Sequence, residues 1–254
     1  MFFNQKAYIG INLTGGRAFT YTALDADLKL LALADGELED VLTFIGGQAS
    51  AFVAVNAPAN PNQGKVRALL ETKSLTPEKS PLRGVDMRLA EYELRQRGIK
   101  VAATPAHPDH CPSWMRSGFA LHKKLSDMGF VGYPAEDASH QILETHPQAA
   151  FIALTEGSLL PASALEGRLQ RQTVLYGEGL QIRDPMIFFE EITRHKLKQG
   201  ILPLDQIYAA NQLDSLLAAY TAWLVTEEPN KVIALGNGDE GKVYLPVSDL
   251  KSKY

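Results

Sequence analysis

Ala7-Tyr8-Ile9-Gly10-Ile11-Asn12, followed by Leu13-Thr14-Gly15-Gly16, and Ala51-Phe52-Val53-Ala54-Val55-Asn56, followed by Ala57-Pro58, are two short apolar runs, each closed by an asparagine and a turn. Runs of this length, rich in β-branched and aromatic residues and bounded by turn formers, read as buried strands. Between them, residues 18–25 and 28–34 are β-prone and are separated by turns at Thr14-Gly15-Gly16 and Asp25-Ala26-Asp27, which makes an antiparallel three-strand meander. Asp35-Gly36 ends the meander. From Glu37 to Ile45 the apolar residues Leu38, Val41, Leu42 and Ile45 fall at helical spacing, and Gly46-Gly47 closes that segment. A strand that follows such a helix returns parallel to the first strand by a right-handed crossover.

Three antiparallel strands, a helix and a parallel strand are the opening signature of an RNase H-like fold. The fold class expected is therefore α/β, with a mixed sheet of meander plus parallel strands, flanked by helices and carrying insertions. A chain of 254 residues with 45% apolar content is large enough to bury one substantial core. One domain over residues 1–254 is expected, with an inserted loop and helical region around 57–138. The net charge of −4 and pI near 5.9 argue against broad, nonspecific nucleic-acid binding, though a local basic patch is compatible with them. A single cysteine, Cys111, excludes an internal disulfide framework, and no basic segment leads into a long apolar one at the start, so a cytoplasmic location is expected. No apolar run reaches the roughly 20 residues of a membrane span.

Residues 57–83, rich in proline and polar residues, read as a mobile loop or insertion. Gly84–Gly98 reads as a helix with one heavily charged face, on which Arg88, Glu91 and Arg95 are expected to form surface ion pairs. Ile99–Ala103 is extended, Trp114–Met128 is helical, and Gln141-Ile142-Leu143-Glu144 is a strand broken at His146-Pro147. Helices are expected around 161–175 and 185–198, then over Leu204–Val225, the longest. Val232–Leu235 and Lys242–Leu245 around a Gly-Asn-Gly-Asp-Glu-Gly turn form a terminal hairpin.

Hydrolysis of a phosphodiester by two divalent ions needs several carboxylates from distant sequence positions converging on one small volume. Glu144 at a strand end and Asp214 on a small-residue helix are the candidate metal ligands, with magnesium or manganese the expected ion and no organic cofactor. Asn12 and Asn56 stand at strand ends where carboxylates would complete such a site. An amide keeps a ligand oxygen but loses the compensating charge. The same residues also have a plainer account, in which Asn12 and Asn56 form turns and Glu144 is a solvated loop-edge acid. Asp214 fits that account least, because a small-residue helix approaches the sheet closely and an unpaired acid there is costly. Arg168 and Arg171, three apart on a helix, are candidate phosphate ligands or surface ion-pair partners. His107, Asp109, His110 and Cys111 crowd metal-ligand types into one span, yet structural zinc takes two well-spaced pairs, and a polar proline-rich loop explains the cluster better.

Several longer stretches carry a resemblance: Arg88-Leu89-Ala90-Glu91-Tyr92-Glu93-Leu94-Arg95 with Gly98-Ile99, Trp114-Met115-Arg116-Ser117-Gly118-Phe119, Glu144-Thr145-His146-Pro147, Gly167-Arg168-Leu169-Gln170-Arg171, Asp184-Pro185-Met186 and Leu213-Asp214. With the opening strand, Val55-Asn56-Ala57-Pro58, and Glu240-Gly241 before Leu245-Pro246, the chain resembles domain-of-unknown-function family 429, labelled as predicted nucleases with an RNase H-like fold. Members commonly have aspartate where this chain has Asn12 and Asn56. The resemblance implies a metal-dependent nuclease or phosphodiesterase acting on nucleic acid, with Asn12, Asn56, Glu144 and Asp214 as its catalytic set and its metal site half neutralised. The alternative is a noncatalytic RNase H-like descendant that binds a nucleic acid, a nucleotide or a protein partner.

Overall fold

A computed structural model describes residues 6–16, 18–73 and 85–254. Strands β1 (Lys6–Leu13), β2 (Phe19–Leu24) and β3 (Leu30–Gly36) form the antiparallel meander, helix α1 (Leu38–Gly46) crosses over, and β4 (Ser50–Asn56) pairs parallel to β1. Strands β5 (Val131–Gly132), β6 (His140–Thr145), β7 (Ile233–Asn237) and β8 (Gly241–Leu245) complete an eight-stranded sheet in the order β3-β2-β1-β4-β6-β8-β7, with β5 on β6. This mixed sheet is consistent with an RNase H-like arrangement.

Two apolar layers cover the sheet because side chains alternate along each strand. On one face Ile9, Ile11, Val53, Val55 and Ile142 pack under α1 and α4 (Ser113–Asp127). On the other, Tyr8, Phe52, Ala54 and Leu143 pack under α3 (Leu89–Gln96), α5 (Pro147–Thr155), α6 (Leu165–Gly177) and α8 (Ala210–Glu227). Helix α8 lies directly against β1, where Gly10 is indispensable. A Cβ there would stand 2.0 Å from the Ser215 carbonyl oxygen and 2.2 Å from the Ala219 nitrogen. Tyr8 Oη donates to Glu227 at the far end of α8, which fixes the helix antiparallel to β1.

Several expectations are corrected. Lys65–Lys73, expected within a loop, is helix α2, and residues 74–83 of that expected mobile loop lie outside the described residues. The helix expected from Gly84 starts only at Leu89, with Arg88 as its extended N-cap. Helix α5 follows at once the strand that His146-Pro147 was expected merely to break. Proline is tolerated at a first helical position, where its missing N–H has no partner anyway, and His146 Nδ1 caps the turn by accepting from Ala149 N at 3.3 Å. The longest helix begins at Ala210 because Leu204–Gln206 forms only a 3-10 turn, and the helix around 185–198 is α7 (Pro185–Glu191), followed by a π turn.

Candidate functional site

Strand pairing brings Asn12 and Asn56 side by side in register at the ends of β1 and β4. Asn56 Nδ2 donates to Asn12 Oδ1 at 2.5 Å, and Asn12 is 3% exposed. The amides thus satisfy each other, where two carboxylates at this spacing would repel. Glu144 does not join them on the same face. Its in-register partner on β4 is Val55, one residue before Asn56, so strand alternation turns it toward the opposite side of the sheet. Asn56 and Glu144 share only a void of about 30 Å³ at the strand ends.

Glu144 is instead held by Arg88, a residue that its spacing from Glu91 and Arg95 assigned to the surface. Arg88 is 2% exposed and each of its three guanidinium nitrogens donates a hydrogen bond. Nη1 donates to Glu144 Oε2 at 2.8 Å and to the Glu240 carbonyl at 3.1 Å, Nη2 donates to Glu144 Oε1, and Nε donates to Glu91 Oε1 at 2.9 Å. Ala59 N adds a bond to Glu144 Oε2 at 3.1 Å. Glu91 in turn accepts from Thr104 N at 2.8 Å and from Thr104 Oγ1. Burial works against the Arg88 charge, but Glu144 and Glu91 outweigh it and hold the guanidinium above its ordinary value. Burial pushes Glu144 up, while the Arg88 fork and the Ala59 amide pull it down. The bidentate geometry is that of an ionised pair.

Glu240, wholly buried, completes the cluster without touching the guanidinium by its side chain. Its carboxylate accepts from Gln63 N at 2.8 Å, Lys65 N at 3.3 Å and Leu89 N at 2.9 Å. These are amides at the N-termini of α2 and α3, where the helix dipole favours an anion. Gly241 then turns with φ +98°, and a Cβ there would stand 3.4 Å from Glu144 Oε2.

Asp214 lies on α8, half-buried, and burial lifts its carboxyl to about 7 against the opposing pull of Arg171. The charges acting on Glu144 are Arg88 and Glu91, and the charge acting on Asp214 is Arg171, so the two acids belong to separate clusters. Arg171 is 4% exposed, with Nη1 donating to the carbonyls of Leu160 at 3.0 Å and Gly167 at 2.9 Å and its guanidinium over the Phe151 ring at 5.4 Å. Through Nη1 it ties α6 to the turn before it. Arg168 is half-buried, and its Nε is buried without a partner among the described residues.

These residues do not fit a two-ion centre. Glu144 has its oxygens on Arg88 and Ala59, Asn12 and Asn56 are bonded to each other, and Asp214 stands with Arg171. Among the described residues, no three His, Cys, Asp or Glu side chains gather as a metal ion would require. That holds for His107, Asp109, His110 and Cys111 as well. Pro108–His110 is a 3-10 turn, and burial pushes the Cys111 thiol up, near the His107 carbonyl oxygen at 3.6 Å.

Beside the Arg88 cluster lies a cleft of about 850 Å³, which no single stretch of sequence announced. Its origin is a fork in the sheet. β5 pairs with Gln141 and Ile142 of β6, and β8 pairs with Glu144 and Thr145 on that same edge, so the two strands part around Leu143. Helix α4 forms one wall with Arg116, Phe119, Lys123 and Ser126, spaced three, four and three residues apart and hence on one helical face. That spacing was the available signal. Gly118 lets α4 approach the loop after β4, since a Cβ there would stand 2.5 Å from Ala57 Cβ. His122, also lining the cleft, is bonded through Nε2 to the Ala57 carbonyl at 3.3 Å, and burial pushes its pKa down to about 4, so it is neutral. Tyr133, Tyr244 and Lys242 line the other side.

A family model described as "Protein of unknown function (DUF429)" matches residues 14–234. The chain belongs to this family. The matched span begins two residues after Asn12 and stops before Glu240-Gly241, so the opening strand and the Glu240 turn lie outside it, although both were expected to share in the resemblance. No curated protein and no solved structure matches the chain. Among the described residues, no helix is long and apolar enough to cross a membrane.

Proposed function

We propose that this protein is a noncatalytic binding module of RNase H-like architecture, which takes a nucleotide or nucleic acid without a divalent ion. The observation that carries this reading is the Arg88 guanidinium on Glu144, a resident cation on the carboxylate that an ion would need. Coordination of a divalent ion by Glu144 would have to displace a bidentate, buried, charge-assisted contact and leave Arg88 with Glu91 as its remaining carboxylate partner, which is costly. The basic and aromatic lining of the neighbouring cleft suits a ligand that combines phosphate with a planar ring.

The competing reading is a magnesium- or manganese-dependent nuclease or phosphodiesterase that uses Glu144 and Asp214. Labelled single-stranded, duplex, hybrid and branched nucleic acids incubated with either ion discriminate the two, with Asp214→Ala prepared in parallel. The binding reading expects no cleavage by either protein under conditions where an RNase H control cuts, together with ligand binding that EDTA leaves unchanged. Cleavage by the parent chain that disappears in Asp214→Ala sinks it.

A further inference from the structure

The cleft orders its chemistry by depth. Arg116, Lys123 and Lys242 are exposed at its rim, Phe119 and Tyr133 are half-buried below them, and Tyr244 is buried. None of the three cations has an ion-pair partner among the described residues. Glu144 is the acidic residue of the lining, and its charge is met by Arg88. The cleft is therefore locally cationic in a chain of net charge −4. The tyrosine hydroxyls point away to protein acceptors, Tyr133 Oη to the Val225 carbonyl at 2.6 Å and Tyr244 Oη to the Tyr133 carbonyl at 3.0 Å. Their rings meet edge to face with centroids 5.3 Å apart, so the two tyrosines brace each other beside the cleft.

We infer that this cleft is the binding site for a single phosphorylated nucleoside, its base among Phe119, Tyr133 and Tyr244 and its phosphate at Arg116, Lys123 and Lys242. This deepens the binding reading above and rests on it. Volume agrees, since sites for small organic ligands span about 300–1,000 Å³. Charge selects a mononucleotide over a long strand. A polyanion gains affinity by releasing counterions from many phosphates along an extended basic track, whereas this acidic protein offers three rim cations around one bounded cleft. Ring and phosphate recognition are both needed, because three exposed cations alone hold free phosphate weakly in water.

The test is calorimetric titration in EDTA with the four nucleoside 5′-monophosphates, the matching nucleosides, inorganic phosphate and a twelve-residue oligothymidylate. At least one monophosphate is expected to bind about tenfold or more tighter than its nucleoside or phosphate. Lys123→Glu, on an exposed position, is expected to weaken that binding about tenfold with the circular dichroism spectrum unchanged, and Phe119→Ala to weaken it several-fold for nucleoside and nucleotide alike. Binding by none of the monophosphates, or binding that Lys123→Glu and Phe119→Ala leave unchanged, overturns the inference. Tight oligothymidylate binding without mononucleotide binding overturns it too, but leaves the binding-module reading standing. Only metal-dependent cleavage, measured separately, removes both.

Discussion

The two strand-end clusters solve one problem in opposite ways. At Asn12, buried, and Asn56, half-buried, the polar side chains are neutral and satisfy each other by a single amide contact. At Glu144, a charge is retained and matched by Arg88, which also engages Glu91 and the Glu240 backbone. The first cluster is local to two adjacent strands; the second ties β6, α3 and the β7–β8 turn together. A buried charge must be paired and hydrogen-bonded, whereas a buried amide needs only a partner. The comparison teaches that buried polar groups at strand ends can be satisfied either as neutral amides bonded to each other or as a carboxylate paired with a cation, and this chain does both.

Breaking the charged cluster has the largest expected effect. Arg88→Met leaves Glu144 and Glu91 buried without their cation and is expected to cost about 3–5 kcal/mol, read from urea denaturation. The loss should shrink as pH falls and the carboxylates take up protons. A loss under about 1 kcal/mol would mean that the guanidinium is not the partner described.

Charging the neutral cluster comes next. The double substitution Asn12→Asp with Asn56→Asp places two acids where the amides met. It should cost about 2–3 kcal/mol at pH 8 through like-charge repulsion and the raised pKa of one carboxyl. Millimolar calcium or magnesium should recover part of that melting temperature, while leaving the parent chain unmoved. Asn12→Asp alone keeps Asn56 Nδ2 as a donor and is expected to cost less than the double substitution.

Asp214 sharpens the comparison, as an acid that has Arg171 for a neighbouring cation but forms no ion pair with it among the described residues. Its carboxyl is raised to about 7 from an ordinary value of 3.8. As pH climbs between these values the unfolded chain releases the proton before the folded one does, so the group's contribution to stability falls and stays low above about 7. Asp214→Asn should therefore stabilise by on the order of 1–2 kcal/mol at pH 8, with the gain vanishing near pH 4. Equal gains at both pH values would place the carboxyl in solvent.

Much of the fold was legible because its signals are local. Alternation, turn residues and the Gly46-Gly47 stop gave the meander, α1 and β4, and their order gave the parallel pairing that sets Asn12 beside Asn56. The Arg88 cluster was not legible. Arg88 and Glu91 three apart read as a surface pair, and nothing in the spacing says that a hairpin some 150 residues later covers them and delivers Glu240. Arg171 misled for a similar reason, since a basic residue on a helix reads as solvent-facing until the carbonyls of Leu160 and Gly167 are seen around it. Phe119 and Lys123 lay on one face of a helix in plain view, but a face has meaning only against the wall opposite.

By itself, the sequence determined the meander, α1 and β4, the close approach of the small-residue helix α8 to the sheet, and the two amides at the strand ends. Those are properties of periodicity, size and side-chain chemistry, which act within a few residues. Only the tertiary structure decided that Glu144 answers to Arg88, that Asp214 stands with Arg171, and that β5 and β8 part to open a cleft. Each depends on which distant groups share a low-dielectric space, where one charge or one strand edge changes the chemistry of every group beside it.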